Sequence, residues 1–298
     1  MANLTVTSNA NFIPEIWASE ALEAIEFAQI TPKRVNLHWE EYLNKGDTLH
    51  IPRLSNPTAQ TKSADTAVTM EVFGPSDVEG VQDITVTTQT YVAFQVERVL
   101  KVQANQELQQ KYARKIGYAL NRNIETTLTA RFDAFSNAVG SAGVEITDEQ
   151  IRRGWQYLAD AGLFGMETDP DGDFSFITSP AGYSGLMAID RYVRKDYNQS
   201  GNAVERASVG DIYGFNVFVS NLLESDAAGQ HDAVMMHRDA LALIQQQNVT
   251  VDTHYIIEHI SDAVVGWTLF GTAEMNFPPE TAGGGTAVDD RGVYVRGV

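Results

Sequence analysis

The sequence has no cysteine in its 298 residues, which excludes disulfides and thiolate metal sites outright. No stretch approaches the ~18 consecutive apolar residues of a membrane-spanning helix. The first ten residues, MANLTVTSNA, carry neither a basic region nor an apolar core, so no signal peptide is expected there. Positive charge is scarce: 21 Lys and Arg stand against 39 Asp and Glu, a net charge of −18. Proteins that grip nucleic acid use basic patches, because neutralised phosphates release counterions. Only two small basic clusters occur here. Arg191, Arg194 and Lys195 share their segment with Asp190 and Asp196, and Lys111, Arg114 and Lys115 lie beside Glu107. Both read as solvated faces.

Catalytic signatures are missing as well. The histidines are His38, His50, His231, His237, His254 and His259, and none has the H-E-x-x-H spacing that places two ligands on one helix face. His237 falls on an alternating strand among apolar neighbours and reads as a hydrogen-bonded structural residue. G-Y-S-G at 182–185 falls short of a nucleophile elbow, because Leu186 stands where the second glycine belongs. Glu167, Asp169, Asp171 and Gly172 match the first half of a calcium loop. Its last ligand, a bidentate glutamate, is replaced by Thr178, so the stretch reads as an acidic turn. There is no P-loop and no dinucleotide fingerprint. No catalytic, cofactor-binding or metal-binding residue is assigned, and no cofactor is expected.

What is present is a set of ordered elements in a chain long enough to bury a full core. Hydrophobic content of 43% is ordinary for a soluble protein. Residues 1–40 read as an arm, with Pro14 opening a short helix whose apolar positions are Ile16, Trp17, Leu22 and Ile25. Residues 45–98 read as a long β-hairpin: Leu49 and Ile51 alternate on the outward arm, and Ile84, Val86, Val92, Phe94 and Val96 on the return. The Thr-rich stretch 55–83 between them has little to bury by itself. Loops of that length inside a compact domain usually serve a function. Leu108, Tyr112, Ile116, Leu120, Ile124, Leu128 and Phe132 recur every fourth residue and predict one helix over 103–135, about 50 Å long. Strict fours drift around a helix of 3.6 residues per turn, so the stripe should meet different neighbours at its two ends.

A second α/β unit is expected over 146–245. Thr147 and Gln150 form a capping box for a helix carrying Ile151, Trp155 and Leu158 and ending at Gly162. Residues 174–178 read as a strand. Ser179 caps a helix with Pro180 at its first position, and 190–208 is a polar loop. Strands follow at 215–219 and 233–237, and 249–271 returns as strands. Pro278 and Pro279 close the fold, and the glycine-rich segment after them starts as a linker.

Several of these segments form a collinear series. V-G-D-I-Y-G-F-N-V-F-V-S-N at 209–221 has Gly210 and Gly214 around a tight turn and Ser220 and Asn221 at the strand end. Before it come N-F-I-P-E-I-W-A (11–18), Arg34 with Asn36, K-G-D-T-L-H-I-P (45–52) and S-P-A-G-Y-S-G-L (179–186). After it come M-H-R-D-A (236–240), with Met236 in place of a glycine, and A-V-V-G-W-T-L-F-G-T (263–272). From residue 11 to 277 this series resembles the major capsid proteins of tailed double-stranded-DNA bacteriophages. Residues 280–298 match no part of that pattern.

The resemblance implies an α+β fold, the tailed-phage major capsid fold. Its parts would be an N-terminal arm (1–40), an extended β-hairpin loop (41–100), and a peripheral domain with a long spine helix (101–145 and 246–279). An axial α/β domain (146–245) and a C-terminal tail (280–298) complete it. It also implies self-assembly of hexamers and pentamers into an icosahedral head, with scaffolding and portal proteins as partners. Double-stranded DNA would be enclosed without specific binding, with no membrane involved and with synthesis in the bacterial host cytoplasm before incorporation in the virion. The extended loop, the arm around Trp17 and the loop 190–208 are the candidate subunit contacts. Two other readings stand beside it: a bacterial nanocompartment shell protein, similar in fold, and an acidic cytoplasmic hydrolase with a carboxylate or histidine site.

Overall fold

The four-residue apolar stripe becomes helix α1, Glu107–Thr129, in the computed structural model. Ile116, Leu120, Ile124 and Leu128 are buried along it, and Phe132 beyond its end is buried too. The drift of the stripe is visible in the packing. Ile116 and Leu120 cluster with Val264, Val92, Phe94 and Val249. Ile124, Leu128 and Phe132 cluster instead with Val35, Ile177, Val234, Met236 and Leu243. The helix is shorter than the pattern predicts at its C-terminal end. Thr126, Thr127 and Thr129 turn their hydroxyls back onto the carbonyls of Arg122, Asn123 and Thr126, a bonding that weakens helices. Phe132–Ala134 then forms a single 3-10 turn, and Phe135 turns extended.

Residues 29–43, 45–53, 59–68, 70, 80–97, 107–141, 144–160, 173–193, 211–223, 233–275 and 291–296 are described by the structure. The arm helix around Trp17, the acidic turn 167–172, most of the loop 190–208, Gly210, and Pro278 with the linker after it lie outside these residues.

Strands β1 (Thr48–Arg53) and β2 (Gly80–Thr85) form the expected antiparallel ribbon, with Leu49 opposite Ile84 and Ile51 opposite Gln82. The return arm does not stay in it. At Val86 and Thr87 the chain leaves the ribbon, and β3 (Thr88–Glu97) joins a separate three-stranded sheet of order β3-β10-β9. The alternation of Val92, Phe94 and Val96 is real, but its partners lie on β10 (Ser261–Glu274), with Val92 opposite Gly266 and Phe94 opposite Val264. α1 packs on this sheet. Gly266 permits the approach, since a Cβ there would collide with Ile116. β9 (Leu241–Ile256) begins well before the expected residue 249. Its first four residues are all buried, so they read as a core run with no strand alternation.

The six-stranded sheet has the order β4-β11-β8-β5-β7-β6. Its strands are β4 (Asn137–Gly140), β5 (Phe174–Thr178), β6 (Asp211–Ile212), β7 (Phe215–Val219), β8 (Ala233–His237) and β11 (Gly292–Arg296). β11 is the element that the sequence pattern did not show. It lies between β4, to which it is parallel, and β8, to which it is antiparallel, and Val293 and Val295 are fully buried. Helix α2 (Asp148–Asp160) covers this sheet, capped reciprocally by Thr147 and Gln150. Its buried stripe is Ile151, Gly154 and Leu158. Trp155, expected in that stripe, is exposed. Gly154 occupies the contact because a Cβ there would lie 2.7 Å from Met235 Sδ. Helix α3 (Pro180–Ala188) is capped by the Ser179 hydroxyl, which accepts from Gly182 N–H at 3.1 Å. A one-turn helix α4, Asp190–Val193, follows it.

Candidate functional site

Three of the segments that were collinear in sequence, Arg34 with Asn36, 209–221 and 236–240, come together in space. Asn36 bridges to β9 beside Ala242: its N–H donates to Leu241 O, and Leu243 N–H donates to its carbonyl. Its side-chain Nδ2 donates to Asp239 Oδ1 at 2.6 Å. Asp239 also accepts from Arg291 at 2.9 Å. His237 caps the short turn Arg238–Ala240, with its Nδ1 accepting from Asp239 N–H. Its ring also packs edge-on against Phe174, so it is the structural histidine the sequence implies. Arg238 donates to Val35 O, and the Arg34 guanidinium stacks 4.2 Å above the Phe218 ring. The M-H-R-D-A segment and the Arg34–Asn36 pair thus form one joint, tying the entering chain to the junction of β8 and β9.

A second joint is built on Glu125 of α1, which is 0% exposed. Its carboxylate accepts from Ile30 N–H at 3.0 Å, Thr31 N–H at 3.2 Å, Thr31 Oγ1 at 2.8 Å and Ser220 Oγ at 3.3 Å. A buried carboxylate is tolerated only when it is this fully hydrogen-bonded. Ser220 is the serine of the S-N pair, and its role is to close this set. Glu125 itself was not singled out in the sequence. Its signal there is that it is the only acid in α1 after Glu107 and sits directly beside the buried stripe.

A third cluster centres on Asp148 at the start of α2. Its carboxylate accepts from the hydroxyls of Tyr192 and Tyr213, both at 2.7 Å, from Arg191 at 2.9 Å and from Arg152 at 3.1 Å. Arg191 and Tyr192 lie on α4. Tyr213 lies in the β6–β7 turn, where Tyr213 and Gly214 both have positive φ, the pairing that joins two strands in a tight hairpin. Burial pushes the Asp148 carboxyl up, but the Tyr213 and Tyr192 hydroxyls with Arg191 and Arg152 outweigh it and hold its pKa below the ordinary aspartate value. Burial, then the bond to Asp148, pushes the Tyr192 phenol up, so it stays a donor.

A depressed folded-state pKa stabilises the fold above the unfolded value near ~3.9, and that contribution is lost as pH falls through the folded pKa. Asp148→Ala is therefore expected to cost about 2 kcal/mol at neutral pH. The gap to wild type should shrink at pH 3, as urea unfolding at the two pH values would measure. A gap equal at both would show that the carboxylate charge is not its source.

Among the described residues no group of three or more His, Asp or Glu could hold a metal ion. Ser184 is the fifth residue of α3, inside the helix and away from the β5–α3 turn where a nucleophile elbow would place it. His50 pairs with Asp83 at 2.6 Å on the exposed ribbon. What the fold does offer is surface. On the β3-β10-β9 sheet, the face opposite α1 presents Tyr91, 70% exposed, with Ala93 exposed and Val265 and Trp267 half-buried. At the β9–β10 tip, Ile257 is 77% and Ile260 63% exposed. Ile260 has φ +46°, a left-handed conformation that β-branched residues rarely adopt and that concentrates at functional sites.

Comparison with solved structures finds the fold over nearly the full length of the chain. A chain of Mycobacterium phage Che8 superposes with a TM-score of 0.78 at 19% identity, covering 96% of this chain and 97% of that one. The fold is that of the tailed-phage major capsid proteins. A capsid structure of Cyanophage P-SCSP1u matches at TM-score 0.70 and 14% identity, covering 96% of this chain and 93% of that one. The mature capsid of bacteriophage PhiM1 matches at 0.71 and 14%, covering 95% and 91%. No family model and no curated protein matches the sequence. α1 is the longest helix among the described residues. The two polar joints fix the chain to it and to the six-stranded sheet.

Proposed function

We propose that this chain is the structural subunit of a tailed-phage head, whose copies close as hexamers and pentamers into an icosahedral shell around double-stranded DNA. The observation that carries this reading is the match of its fold to capsid chains over nearly the full length of both partners. Two features of the chain agree with it. Among the described residues the β1–β2 ribbon has core partners only near its root, where Leu49, Ile51 and Ile84 meet Leu43 and Ala242. The open face around Tyr91 offers apolar area of the kind that subunit contacts bury.

The work of such a protein is contact, not turnover, and its partners are other copies, a portal and scaffolding protein. It would be made in the host cytoplasm and end in the virion. With a net charge of −18 the wall encloses DNA without gripping it. Expression of the chain with and without scaffolding protein, followed by sedimentation and negative-stain imaging, is the test. Closed shells or ring-shaped capsomers are expected. A stable monomer under every assembly condition rejects the proposal, and closed shells whose gene lies beside an enzyme cargo in place of a portal and terminase assign it to a nanocompartment.

A further inference from the structure

The three-stranded sheet has two outer edges, and they are not alike. The β9 edge is guarded. Its ladder with β10 shifts register between Trp267 and Leu269 and again between Leu269 and Phe270. Asp252 puts a charge on it, and Asn36 bridges to it at Ala242. The β3 edge carries none of the devices by which proteins keep an edge from pairing. From Thr88 to Val96 it has no charged residue and no proline, and its pairing with β10 runs without a shift. Among the described residues β10 is its one neighbour.

α1 does not close this edge either. A cavity of about 330 Å³ separates the two, with Gln89 to Val92 on one side and Ala119, Leu120 and Asn123 on the other. None of these residues is charged. The Thr90 hydroxyl is buried and has no hydrogen-bond partner among the described residues. A buried polar group in that state costs free energy until a partner reaches it. In a chain of net charge −18, identical copies repel over much of their surface. An uncharged, unguarded edge is where one copy can approach another.

We propose that β3 pairs with β3 of a second copy, antiparallel and across a two-fold axis at Thr90. Such a contact sets one patch against itself. Opposed residues of an antiparallel pair share a face of the sheet, so the axis falls on a residue. The cavity limits it to the span Gln89 to Val92. Thr90 is the position that sets the two orphan hydroxyls opposite each other, each able to donate to its mate or accept from it. Gln89 then stands opposite the partner's Tyr91, and the two sheets join into one. The contact rests on the shell reading. Its overlap, Thr88 to Val92, is short, and specific interfaces need roughly 1,000 Å² or more. It forms fully where other contacts already hold two copies side by side.

The chain has no cysteine, so introduced ones report the pairing without background. Thr90→Cys should link to itself, and a mixture of Gln89→Cys and Tyr91→Cys chains should link 89 to 91. These rows are adjacent, so one is hydrogen-bonded and the other is not, and both spacings suit a disulfide. Gln95→Cys is the control, because its two copies would stand about 33 Å apart.

Assembled shells and concentrated free subunit are oxidised mildly and run on a non-reducing gel. In shells, dimers should form at least roughly tenfold faster at one of the first two positions than at residue 95, since a held pair has a high effective concentration. Free subunit should show the same preference at a lower rate. Shells that link at neither position, or equally fast at residue 95, overturn the pairing and leave the shell reading intact. Preferential linking in a chain that never closes into shells supports the pairing and rejects the shell reading. No preference in either state overturns the pairing.

Discussion

Removing the outer part of the β1–β2 ribbon is expected to leave a folded subunit that no longer closes into shells. The excision that tests this spans residues 54–79, replaced by a short Gly-Asn-Gly turn. It keeps both strands, because Leu49, Ile51 and Ile84 contribute to a core cluster with Leu43, Val86, Ala242 and Ile244, and a cut through β2 would damage it. The part removed offers the subunit little. Among its described residues, 59–68 and Met70 are all exposed, Val68 at 65% and Met70 at 80%. Apolar side chains left in water contribute nothing to the stability of the subunit. Thermal unfolding of the free subunit should therefore shift by no more than a few degrees. Shell yield, followed by sedimentation, should fall to background. Normal assembly of the shortened chain would make the excursion an ordinary surface loop with no part in subunit contacts.

Ile116→Pro is expected to abolish soluble, folded protein. Proline inside a helix removes one backbone hydrogen bond and clashes with the preceding turn, at ~3 kcal/mol or more. Here the damage extends further. Ile116 is 2% exposed and meets the backbone of β10 at Gly266, so the kink would also separate the helix from the sheet. Losing most of a buried Ile contact adds about 2–5 kcal/mol. The sum reaches the ~5–15 kcal/mol that holds a typical domain together. Circular dichroism and soluble yield are the measurements. Ile116→Val, at about 1 kcal/mol, is the control that should fold. Wild-type stability in the proline variant would mean that α1 is not one continuous helix.

Much of the fold is legible in the sequence because strong local patterns carried it. The fours in α1, the Thr147–Gln150 box and the Ser179–Pro180 cap each state their structure within a few residues, and each appears in the structure. The misreadings come where tertiary context decides. Nothing local marks the point after Val86 where the return strand changes sheets. That change depends on Gly271, whose missing side chain lets Thr85 and Val86 pass against β10. Trp155 looks like core by type, but Gly154 beside it wins the contact with Met235 for reasons of space. The joints were half legible. Arg34, Asn36, Ser220 and the 236–240 segment stood out as motifs, but their partners Glu125 and Arg291 lie far away in sequence and carry no spacing signal. Asp148 was not singled out in the sequence, and its two tyrosines come from elements more than forty residues on.

The placement of β11 bears on when the subunit can become competent. Among the described residues β4 is an edge strand whose one neighbour is β11, and β11 in turn separates it from β8. During synthesis β4 leaves the ribosome about ten seconds or more before residues 292–296 do, at ordinary translation rates of ~5–20 residues per second. Throughout that interval Phe135 lacks Gly292, against which its ring packs closely enough to exclude a Cβ, and once β8 has emerged it presents an unpaired edge among buried residues until β11 arrives. A nascent chain therefore cannot complete the six-stranded sheet, however far its other helices and strands have folded. Completion waits on one late insertion: a chain interrupted before residues 292–296 lacks the strand that joins β4 to β8, and its sheet stays unfinished.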